Sequence, residues 1–80
     1  MSAVGDDLLA VVRLLVDDPR AVAVHELDTA DGPELRVALA EDDRGKVIGR
    51  RGRTIDALRE LVAVRGERER RDYAVELLED

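Results

Sequence analysis

The residues best equipped for chemistry lie in one short run, Arg44-Gly45-Lys46-Val47-Ile48-Gly49-Arg50-Arg51-Gly52-Arg53. It carries Arg44, Lys46, Arg50, Arg51 and Arg53 and no acid, a local charge of +5 in a chain whose formal net charge is −6. Removing those five charges leaves −11 for the other seventy residues. A single cationic spot on an otherwise repelling surface orients a polyanion toward that spot and keeps it off every other face. Gly49 and Gly52 permit a tight turn and carry no side chains, so a sugar-phosphate backbone can come close to the main chain. Arg50 and Arg51 at the tip add charge-assisted bonds to phosphate oxygens, and the amides opening a following helix face the same anion with the positive end of its dipole.

Catalytic alternatives find little to work with. The chain has no cysteine and one histidine, His25, and its hydroxyl nucleophiles are Ser2, Thr29 and Thr54. Nucleophilic catalysis needs an activated nucleophile with a base in reach. The run from Gly45 to Arg50 fits neither the spacing nor the strand context of a nucleotide-binding phosphate loop. Asp28-Thr29-Ala30-Asp31-Gly32 glances at a calcium loop but lacks the later carboxylates. No enzyme, cofactor or metal is therefore expected. Tyr73 is the only aromatic residue, which removes base stacking on aromatic platforms and makes Tyr73 itself a packing residue. His25, beside Glu26, is read as an ordinary strand residue.

The elements that position the loop follow from periodicity. Asp6 to Val16 sets Leu8, Val11, Val12 and Leu15 at helical spacing, widened by Leu9 and Val16, with aspartates at its start. Asp17-Asp18-Pro19 ends it. Ala21 to Asp28 and Glu34 to Ala40 read as a hairpin around Asp31-Gly32-Pro33, the second run alternating Leu35, Val37 and Leu39 against polar or small neighbours. Asp42 or Asp43 is placed to cap a short helix through Ile48. Arg53 to Arg65 resumes the helical period with Ile55, Leu58, Leu61 and Val62 inward, and Gly66 is expected to stop it. The charged run Glu67 to Asp72 leads to a last strand, Asp72 to Glu79, alternating Tyr73, Val75 and Leu77. The predicted order is αββααβ, an α+β fold of one domain over residues 1–80 in which three helices cover one face of a three-stranded sheet. Asp6, Asp7 and Arg13 interrupt the first apolar run, so neither a membrane span nor an export signal is read from it, and a cytoplasmic protein is expected.

Val47-Ile48-Gly49-Arg50-Arg51-Gly52-Arg53-Thr54-Ile55 resembles the Ile-Gly-x-x-Gly signature of KH domains. Glycines three apart are a weak signal alone. Two flanking helices, a preceding apolar pair, the arginine filling and the αββααβ order of type II KH domains extend the resemblance over essentially the whole chain. It is strongest to the small stand-alone bacterial KH proteins of the KhpA type. The resemblance implies binding of about four unpaired RNA nucleotides in a groove between the loop, its flanking helices and the adjoining strand. It assigns the contact to Gly49, Arg50, Arg51, Gly52, Arg53, Lys46, Arg44 and Ile48, with Val47, Ile48 and Ile55 as groove wall or underlying core. It further implies an RNA chaperone or post-transcriptional regulator acting with a second KH-containing partner or as a homodimer, linked to cell-envelope and cell-shape control. The rival reading is a KH fold that docks on another protein and binds RNA weakly itself.

Overall fold

The computed structural model describes residues 2–79. Helix α1 spans Ala3–Leu15 and begins earlier than Asp6, because the Ser2 hydroxyl accepts the Gly5 N–H at 3.0 Å and supplies the N-cap that the aspartates were expected to provide. Its Val4, Leu8 and Val12 are buried. Val16 leaves helical geometry at ψ 160°, and Pro19–Ala21 forms one 3-10 turn, which delays strand β1 to Ala23–Thr29. Strand β2 is Gly32–Ala38, so Gly32 and Pro33 belong to the strand and Ala30-Asp31 alone make the turn. Pro33 stands one residue before pairing with the third strand begins at Glu34, so its missing N–H interrupts no bond on that side.

After β2, Glu41–Asp43 forms a 3-10 turn that runs into α2, Arg44–Ile48. The turn Arg50–Gly52 leads to α3, Arg53–Glu69, and β3, Ala74–Leu77, closes the sheet. The order αββααβ stands as expected. The strands lie β1-β2-β3, with β1 antiparallel and β3 parallel to β2. Parallel pairing of β2 with β3 requires a long crossover, and α2, the glycine loop and α3 are that crossover. The loop is thereby held by two helices that both return to the same sheet.

Gly66 does not stop α3. It is buried within the helix, and a Cβ there would stand 2.5 Å from the Arg71 carbonyl oxygen and 3.2 Å from the Tyr73 ring. Glycine is present to let the chain fold back closely. Arg70 ends the helix in the left-handed conformation at φ 58°. The core joins Val4, Leu8 and Val12 of α1 to Val24, Leu35, Val37 and Val75 of the sheet and to Val47, Ile55, Leu58 and Val62 of the two later helices. Leu61 falls outside it, on the exposed side of α3. Tyr73 is core, with its hydroxyl donating to Glu69 Oε2 at 2.8 Å, and burial pushes its pKa up. His25 is an exposed strand residue.

Candidate nucleic-acid interface

The loop is built by departures from helical geometry at Gly49, Arg51 and Gly52. Gly49 N–H donates to Gly45 O at 2.9 Å, closing α2, and Gly49 then adopts φ 76°, ψ 173°. A Cβ at this position would lie 2.2 Å from Thr54 Oγ1 and 2.9 Å from Thr54 N, so glycine is demanded by space as well as by conformation. Gly52 N–H returns to Gly49 O at 3.2 Å, and Arg51 and Gly52 are both left-handed, at φ 58° and 74°. Left-handed geometry costs an arginine about 1–2 kcal/mol, so the surrounding turn over-determines its position. No side chain caps the first turn of α3, and the Arg53 N–H donates to the Arg50 carbonyl, tying the loop to the start of the helix.

The five cations of the segment separate into two groups. Arg44, on α2, donates to Leu78 O at 2.5 Å and stands 3.6 Å from the Glu79 carboxylate, tying α2 to the end of β3. Lys46 pairs with Asp17 at 2.5 Å and with Asp43 at 3.4 Å. Arg50, Arg51 and Arg53 are exposed and make no ion pair among the described residues. Within this segment the positive charge that makes no ion pair among the described residues is carried by three guanidinium groups around the two glycines.

Asp43 is the residue that sequence reasoning misplaced. It does not cap α2 with its side chain. Its carboxylate is buried and accepts the main-chain N–H of Asp17 at 3.1 Å and of Asp18 at 3.0 Å, fastening the segment after α1 to the start of α2. Those bonds, Asp17 first, and the Lys46 ammonium hold the Asp43 carboxyl below its ordinary value against the opposing effect of burial. Lys46 is held upward in turn, chiefly by its bond to Asp17. A bond across 26 positions of sequence leaves no local signature.

Ile48 is half-buried and packs on the core beside the loop, whereas Val47 and Ile55 are core beneath it. On the other side stands β3. Leu78 N–H donates to Val37 O, so strand alternation turns the main-chain groups of Val75 and Leu77 toward the free edge. Arg59 of α3 reaches that edge and donates to Val75 O at 3.3 Å. Ile48 and Leu77 are half-buried apolar residues packed against the core.

Comparison with known proteins gives the family. The KhpA/KhpB KH domain matches residues 6–77. The chain belongs to the KhpA/KhpB family of KH domains. It is 48% identical over 69 residues to the RNA-binding protein KhpA of Mycobacterium tuberculosis, covering 85% of this chain and 86% of the relative. It is 34% identical over 74 residues to the RNA-binding protein KhpA of Caldanaerobacter subterraneus, covering 92% and 99%. The protein of the same name from Streptococcus pneumoniae is 37% identical over 62 residues, covering 78% of each. No solved structure matches the chain. The KhpA/KhpB domain takes in every candidate residue from Arg44 to Arg53, and a chain of this family is a KH domain, not an enzyme. Among the described residues no helix is long and apolar enough to cross a membrane.

Proposed function

We propose that residues 1–80 form one KH domain that binds single-stranded RNA, gripping about four nucleotides with Gly49-Arg50-Arg51-Gly52 as its loop. The observation that carries this reading is the coincidence of a side-chain-free backbone at Gly49 and three exposed arginines at the same turn that make no ion pair among the described residues. The relatives, which are RNA-binding proteins by name, point the same way. Phosphate sits at the start of α3 between Arg50, Arg51 and Arg53, and the first bases lie over Ile48. Arg44 and Lys46 act at this site through the fold, holding α2, and contribute to the local potential rather than to direct contacts.

Purified protein and a labelled single-stranded oligoribonucleotide test the reading. Three phosphate contacts on a single strand give a slope of log affinity against log salt of about −2. A duplex of the same sequence binds worse, because the groove of a KH domain admits splayed bases and not a paired helix. A flat salt response, or equal affinity for the duplex, would sink the proposal.

In the cell this activity makes the protein a cytoplasmic RNA chaperone or post-transcriptional regulator that acts with a second KH-containing protein, or as a homodimer, in envelope and cell-shape control. A second reading, a docking module with little RNA affinity of its own, is favoured by one observation. Leu61 and Val64 are exposed on α3 and line, with Ala57 and Ala63, a largely apolar hollow on that helix. Under that reading RNA is retained only when a partner from cell extract is present.

A further inference from the structure

We infer that Asp43 is a positioning residue for RNA binding, whose buried carboxylate sets the direction of α2 and so brings the turn from Gly49 to Gly52 into the geometry that receives phosphate. The inference rests on the RNA-binding reading above. Helix α2 has five residues and is about 7 Å long, too short to hold its own direction. Its one buried side chain, Val47, and the half-buried Ile48 lie at the end next to the loop, so apolar packing anchors the helix near a single point. The other end is fixed by polar ties. Asp43 accepts the Asp17 N–H on one carboxylate oxygen at 3.1 Å and the Asp18 N–H on the other at 3.0 Å, and Lys46 reaches both Asp43 and Asp17.

The loop has little tolerance for movement of that helix. Gly49 is bonded through its N–H to Gly45 O and packs so closely on Thr54 that a Cβ would lie 2.2 Å from the hydroxyl oxygen. A tilt of α2 about Val47 therefore shifts Gly49 against the start of α3 and alters the turn that carries Arg50 and Arg51. Only 2% of Asp43 is exposed, and a carboxylate so placed carries a desolvation cost that its bonds must offset. What it supplies beyond stability is direction, since one N–H on each oxygen permits one orientation of the carboxylate and of the backbone that bears it.

Removing this charge has two opposite effects. Asp43→Asn keeps the volume, takes one negative charge from a chain of net charge −6, and turns an NH2 group toward one of the two donors. Electrostatics alone then gives equal or tighter RNA binding. Positioning gives weaker binding: if the competent arrangement falls to about a tenth of the molecules, affinity falls about tenfold. The salt slope stays the same, because no phosphate contact is lost. Asp42→Asn makes the same charge change at an exposed neighbour and keeps or gains affinity. Affinity for single-stranded RNA is measured on each variant at a temperature where circular dichroism shows it folded. A second readout needs no variant. In the unaltered protein, hydrogen exchange of the Asp17 and Asp18 amides slows when RNA binds, since ties that align the loop for RNA are by linkage tightened by RNA. Undiminished affinity in folded Asp43→Asn, or unchanged exchange at Asp17 and Asp18 with RNA bound, overturns the role of Asp43 alone. Absence of RNA binding by the unaltered protein overturns the underlying reading and this inference with it.

Discussion

Replacing Arg50 and Arg51 together by Asp separates the folding role of the loop from its binding role. Both glycines stay, and with them the close approach of Gly49 to Thr54. Position 51 is left-handed at φ 58°, a region that aspartate tolerates better than arginine. Neither arginine has an ion-pair partner among the described residues to lose. The introduced carboxylates lie just ahead of the N-terminus of α3, where the helix dipole favours negative charge by about 0.3–1 kcal/mol. The unfolding temperature should therefore not fall and should rise by no more than about 8 °C, at about 4–8 °C per kcal/mol for a domain of this size. Binding moves the other way. Two charge-assisted contacts at the lower end of their range, about 1.5 kcal/mol each, are worth about 3 kcal/mol, and about 1.4 kcal/mol is tenfold. Affinity for single-stranded RNA should fall at least about a hundredfold, with the salt slope flattened by about 1.4. Circular dichroism melts and fluorescence anisotropy on the same preparation give both numbers. A folded double variant with undiminished affinity would refute the placement of phosphate at this loop.

The other expectations concern the scaffold. Gly49→Ala should cost more than about 2 kcal/mol in denaturant unfolding, combining left-handed strain with overlap on Thr54; Gly52→Ala, whose Cβ would meet nothing nearer than Ile55 Cγ2 at 3.9 Å, should cost only about 1–2 kcal/mol of strain. Gly66→Ala should destabilise by about 1–2 kcal/mol, reversing the usual gain from alanine in a helix, because its Cβ would meet the Arg71 carbonyl oxygen at 2.5 Å. Asp43→Asn should lower stability at neutral pH, since an amide cannot accept both the Asp17 and Asp18 N–H groups as a carboxylate does. The folded Asp43 carboxyl titrates below its ordinary 3.8, so its stabilisation is present above that value and is lost as pH falls through the folded value. The difference in unfolding temperature between the two proteins should accordingly shrink below about pH 4.

The order of elements was legible because β2 alternates and α1 and α3 carry unbroken helical stripes, signals that local chemistry writes directly. The glycine loop was legible because backbone conformation there is dictated by residue type at Gly49 and Gly52. What stayed hidden was tertiary. Gly66 carries the residue type of a helix stop, yet its function is to admit the Arg71 carbonyl, which only the folded chain brings there. Asp43 has the type and place of an N-cap, but two main-chain N–H groups from the end of α1 compete for its carboxylate and win. Arg44 and Lys46 look identical in sequence to Arg50 and Arg51. The difference is that Leu78, Glu79, Asp17 and Asp43 lie within reach of the first pair, and among the described residues the second pair makes no ion pair.

That division bears on how a chain with net charge −6 can hold a polyanion. The acids are not merely absent from the loop; several are spent elsewhere. Asp17 and the buried Asp43 face Lys46, while Asp7 faces Arg65 at 2.7 Å and Asp28 faces Arg71 at 2.9 Å, two exposed pairs whose carboxylates are partly neutralised by cations remote from the glycines. Exposed pairs of this kind add little stability, typically about 0–1 kcal/mol each. Their larger effect is on where uncompensated charge remains. At separations beyond about 8 Å in physiological salt, exposed charges are largely screened. A phosphate at the loop therefore responds mainly to Arg50, Arg51, Arg53 and the start of α3, and hardly to the acidic remainder. Lowering the salt lengthens that reach, so repulsion from the rest of the chain enters and opposes the attraction of the loop. The slope of affinity against salt should then steepen less at low ionic strength than the contact count alone requires.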